Sequence, residues 1–197
     1  MSYSNTTQNP QPTGGSDESD LSSRISNVSI SSAQSAVQII KESPFIERLM
    51  NMISRDIDEL DNTATDLRNW RKQLDPNTYK PVVWTHEMTC AYQQYKDLVG
   101  KIGRSHQEFL RCERRTKEEK NATPGQHILC AKLALQWGCD ALTAADARLE
   151  FLKIYRNAYK LDSIDNHIET AQDVITSGKK ALYNAKKCYD SAYNHFS

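Results

Sequence analysis

Apolar residues recur along most of this chain at steps of three and four, the spacing that turns one face of an α-helix toward a core. The rows are longest after residue 42. Ser43-Pro44 supplies a capping hydroxyl followed by proline at a first helical position. Beyond it, Ile46, Ile53, Leu60, Leu67 and Leu74 fall on every seventh residue, with Leu49, Ile57, Ala64 and Trp70 in the turns between. This predicts a helix over 43–75, stopped by the turn chemistry of Asp75-Pro76-Asn77 and Pro81.

A second helix is predicted from about 82 to 120 on the stripe Trp84, Met88, Tyr92, Tyr95, Val99, Ile102, His106 and Phe109. Gly100 and Gly103 either weaken its middle, by up to ~1 kcal/mol each against alanine, or permit a close helix approach. Thr123 and Gln126 then have capping-box spacing, with Pro124 at the first helical position. No proline follows. One stripe runs Ile128, Ala131, Leu135, Leu142, Ala145, Leu149, Leu152; another runs from Ile164 through Ala171, Ile175, Leu182 and Ala192 to Phe196. A tight turn at Leu161-Asp162-Ser163 would divide them into two helices that match the others in length.

The expected fold is therefore all-α: an elongated, coiled-coil-like, antiparallel up-down-up-down four-helix bundle over 43–197. The alternative is a three-helix rod in which 124–196 forms one long final helix. Residues 1–32 read as a disordered tail, because they are rich in serine, broken by Pro10, Pro12, Gly14 and Gly15, and poor in large apolar residues. Between tail and bundle, Ala33, Ala36, Val37 and Ile40 suggest a short conditional amphipathic helix over 33–42.

Composition narrows the function classes. The chain is 38% hydrophobic, and its 25 basic residues balance 25 acidic ones. It lacks the positive excess that draws proteins to nucleic acid, so no specific nucleic-acid partner is expected. The first twenty residues contain no apolar segment like that of a signal peptide, and no run approaches the ~18 apolar residues needed to span a bilayer. Five cysteines without a CxxC pair favour reduced thiols in the cytoplasm or nucleus.

Candidate chemistry is sparse. His86-Glu87-Met88-Thr89-Cys90 resembles a zinc HExxH with cysteine in the last place, but the further ligands are not identifiable. None of the five histidines has a glutamate three residues before it, which excludes the carboxylate–imidazole pairs of di-iron bundles. His106, on the apolar stripe, is expected at the core or its boundary. Phosphate-cradling loops and nucleophile elbows are missing, so no catalytic residue, cofactor, metal or small-molecule substrate is assigned.

Two surfaces remain as candidates. Leu133, Trp137, Phe151 and Tyr155 extend the apolar arc of the 124–160 helix beyond half its circumference. That arc is either the most buried in the bundle, covered by the 33–42 stretch, or a docking face for a protein partner, since aromatic anchors mark interface centres. Arg111, Arg114, Arg115, Lys117 and Lys120 form a basic cluster suited to an anion or to the helix dipole. The sequence thus leads to a non-enzymatic interaction or scaffold protein that binds a partner or self-associates. A peripheral membrane-surface protein and a self-assembling coat subunit are the alternatives.

Overall fold

The computed structural model describes residues 17–52, 65, 69, 72, 73, 84–160 and 164–196, and they contain helix and no strand. Four long helices build the described core: α1 (Asp17–Lys41), α2 (His86–Glu118), α3 (Pro124–Tyr159) and α4 (Asp165–Phe196). The helix expected over 43–75 is seen at its start. Residues 44–52 are helical, and the amide of Ile46 donates to the carbonyl of Ser43 at 3.3 Å. The continuation to 75 and the turn at 75–81 lie outside the described residues apart from helical positions 65, 69, 72 and 73.

The first bundle helix is an extension of the stretch expected to be short. Residues 17–32, assigned to a disordered tail from composition, are helical and continuous with 33–41. Serine content misled there, because tertiary burial of one stripe outweighs modest propensity. Ser29, Ala33, Ala36 and Ile40 are all fully buried, at steps of four, three and four.

Local chemistry sets the ends of α2 and α3. Thr85 caps α2, its hydroxyl accepting from the Met88 amide at 3.1 Å. At α3 the predicted capping box forms: the Thr123 hydroxyl accepts from the Gln126 amide, and the Gln126 side chain accepts from the Thr123 amide. The long-final-helix alternative does not hold, because α3 ends at Tyr159. Lys160 adopts the left-handed conformation at φ 53°, ψ 49°, and its amide closes the last turn on the Arg156 carbonyl at 2.7 Å. Across this corner the Arg156 guanidinium grips the Asp165 carboxylate with two nitrogens, holding that carboxyl below its usual range.

α3 is the central element and packs against α1, α2 and α4. It is parallel to α1 and antiparallel to α2 and α4. Ala33 and Ala36 share a cluster with Ile128, Ala131 and Ala192, whereas Ile40 meets Gly138 beside Leu182. Close approach is possible because the shared seam is made of small residues: Ala131, Ala134, Ala141, Ala144 and Ala145 are fully buried, and Gly138 sits among them. On the other side, Trp137 stacks between His106 and Phe109 of α2, at centroid distances of 4.3 and 5.6 Å. Farther along, Trp84, Tyr92, Phe151, Tyr155 and Tyr159 form a chain of aromatic contacts. Each large side chain so buried contributes about 1.5–3 kcal/mol relative to exposure.

Candidate interaction surface

The face of α3 proposed for docking is interior. Trp137 is 8% exposed, Phe151 2% and Tyr155 1%, while Leu133 is half-buried against the core. This corrects the docking assignment and leaves the burial alternative, with the cover coming from α2 and the residues just before it: His106 and Phe109 lie against Trp137, and Trp84 and Tyr92 against Phe151. The aromatic extension is buried more deeply than the Leu135, Leu142 and Leu149 stripe, whose members are only half-buried.

The basic cluster is not gathered into one site. Arg111, Arg114, Arg115 and Lys120 are exposed near the end of α2. Arg111 borders an open groove with Gly100, Gly103, Arg104 and Glu108. Lys117 turns the other way, into a cleft of about 330 Å³ between α1, the end of α2 and the start of α3. There Glu113 takes both Lys41, at 2.7 Å, and Lys117, at 3.0 Å. Burial pushes the Glu113 carboxyl up, but the two ammonium groups outweigh it and hold the group below its usual range. The cleft also contains His127, pushed down by burial, and Cys130, whose thiol burial raises to about 12. Such a thiol stays protonated and inert as a nucleophile at neutral pH.

Metal chemistry gains no support from the described residues, which hold no group of three or more His, Cys, Asp or Glu placed for an ion. His86 and Cys90 do face one another on the first turns of α2, with Nε2 and Sγ 3.5 Å apart. No described helix is long and apolar enough to cross a membrane.

Surface hydrophobicity is concentrated elsewhere. Among the described residues the exposed large apolar side chains are Ile25, Val28, Met50, Leu129, Tyr183, Tyr193 and Phe196. Five of them, Ile25, Val28, Leu129, Tyr193 and Phe196, belong to the start of α1, the start of α3 and the end of α4. These three segments meet at one end of the bundle. A methyl group on Gly125 would touch the Phe196 ring at 3.5 Å, and the Ala33–Ile128–Ala192 cluster lies just inside.

α1 overhangs this end. Ile40 is level with Gly138 of α3, and Phe45 is level with Gly178 of α4. Continuing that register sets Pro124 and Phe196 near Ser26. The turns from Asp17 to Ile25 therefore project roughly 13 Å beyond their neighbours, at about 1.5 Å per residue. Burial agrees: residues 23–28 are exposed apart from half-buried Ser26, and periodic burial begins at Ser29. Sequence reading missed this surface because Ile25 and Val28 lie in a serine-rich segment; their i, i+3 spacing was the available signal. No protein-family model, curated protein or solved structure matches the chain.

Proposed function

We propose that this chain is a non-enzymatic protein-interaction module that docks a protein partner on the end of the bundle where α1 overhangs α3 and α4. The observation carrying this reading is that, among the described residues, five of the seven exposed large apolar side chains belong to segments at that end. Exposed apolar residues spread evenly over a surface are ordinary, whereas their concentration at one end favours a contact surface there. Tyr193 also stacks on Tyr189, giving the patch a rigid aromatic border at a centroid distance of 6.2 Å.

A membrane-surface role has weaker support. One of the five cations in the basic cluster, Lys117, is tied to Glu113, and Glu118 and Glu119 are interleaved with the rest. A photo-crosslinking residue placed at Val28 tests the docking reading in cells. It should give a discrete protein adduct, and the same residue at Tyr183, exposed outside the patch, should not. Equal yields from both positions, or none from Val28, would refute it.

A further inference from the structure

The cleft between α1, the end of α2 and the start of α3 brings charged, polar and apolar side chains from three helices around one space. Its volume of about 330 Å³ falls at the lower end of the range for small-molecule sites. α1 and α2 both pack on α3. Across the cleft they are joined through Glu113 of α2, which takes Lys41 of α1 at 2.7 Å and Lys117 at 3.0 Å. Two ammonium groups against one carboxylate leave a surplus of one positive charge. An ammonium has three N–H donors, and the contact with Glu113 uses one from each lysine, so both keep donors for a further acceptor. Glu113 is the most buried of the three, at 15% exposed against 35% for Lys41 and 68% for Lys117. An entering anion therefore meets the ammonium groups before the carboxylate. Burial pushes the His127 imidazole down, so this neighbour adds a polar ring edge and no charge at neutral pH.

The surplus selects the ligand's charge. One negative charge balances the lining, whereas the second charge of a phosphate dianion would face Glu113 without a cation of its own. Val37 and Cys130 supply apolar lining for the rest of the ligand, since a protonated cysteine packs as a small hydrophobe. Going beyond the docking reading, we propose that this cleft binds a small organic carboxylate, its carboxylate bridging Lys41 and Lys117 and its hydrocarbon part lying against Val37 and Cys130.

Titration of the full chain with hexanoate at constant ionic strength, followed through the NMR signals of the Val37 methyls and the His127 ring, tests this. Both sets of signals should shift and saturate with a dissociation constant on the order of 1 mM, the strength that a ligand of eight non-hydrogen atoms supplies. Hexanol should leave them in place, and inorganic phosphate should bind about tenfold more weakly or worse. Lys117→Gln, at an exposed position, should weaken hexanoate about tenfold, the loss of one charge-assisted hydrogen bond. Glu113→Gln should do the opposite, tightening hexanoate and admitting phosphate, because the two ammonium groups lose their internal counter-ion. Circular dichroism should show both variants as helical as the parent. No saturable shift at about 50 mM hexanoate overturns the site. Equal binding of hexanol, or of phosphate by the parent, overturns the carboxylate assignment, and undiminished binding by Lys117→Gln overturns the placement.

Discussion

Replacing Gly178 with alanine would put a methyl group against the ring of Phe45, and the geometry sets the sign of the outcome. The added carbon would lie 2.9 Å from Phe45 Cδ2 and 3.2 Å from both Cε2 and Cγ. Phe45 is fully buried in the main core, so its ring has no open space to retreat into. Alanine gains up to about 1 kcal/mol over glycine in a helix interior. Overpacking of a filled core costs about 1–3 kcal/mol. The balance is a loss of roughly 1 kcal/mol, or a fall in Tm of about 2–4 °C for a chain of this size. Gly103→Ala is the control. It is also a helical glycine, but nothing lies within 4 Å of its added carbon. The helix-propensity gain then stands alone, and Tm should rise by a similar amount. Thermal melts followed by circular dichroism measure both. In a Phe45→Leu background, where a flexible side chain replaces the ring, the penalty of Gly178→Ala should shrink or reverse. A rise in Tm for Gly178→Ala in the parent, matching Gly103→Ala, would refute the packing argument.

Trp137→Ala should cost about 3–5 kcal/mol, the range for a buried aromatic, and denaturant melts should show it as lost stability rather than as a selective loss of binding. Lys160→Gly should stabilise the fold by about 0.5–1 kcal/mol, because glycine adopts the left-handed conformation without the side-chain penalty; a lower urea midpoint would count against it. Burial holds His106 and His127 below the ordinary imidazole range, so the unfolded chain binds protons more readily. Their contribution is present above the unfolded value near pH 6.5 and is lost as pH falls toward the folded values. Urea midpoints should therefore decline on acidification, and His106→Gln with His127→Gln should flatten that slope.

Much of the local structure was written in the residues. Thr123, Pro124 and Gln126 form a capping box from side-chain reach alone, without help from elsewhere in the fold. The stripe from Met88 through Tyr95, Ile102 and Phe109 is buried as its spacing requires, because a helical period aims those side chains one way whatever lies opposite. Even the breadth of the α3 arc was visible, although periodicity could not say whether protein or water met its far side. That answer needed the tertiary structure, in which α2 meets Trp137 and Phe151 while α1, whose serine-rich first half has little to signal helix, meets Ile128, Ala131 and Gly138. The same limit applied to the glycines. Gly100 and Gly103 stood out in the sequence as either weakening their helix or permitting a close approach, and the second alternative fails, since their added carbons would meet only the Arg104 side chain at 3.7 Å or nothing. Gly138 and Gly178 take that role instead, since contact depends on which helix arrives at which level. The periodic order of apolar residues thus determined the helices and their inward faces, a property of the backbone and its nearest turns. Register, the covering of α3 and the overhang of α1 were decided by tertiary packing, because burial is shared between segments far apart along the chain and belongs to neither alone.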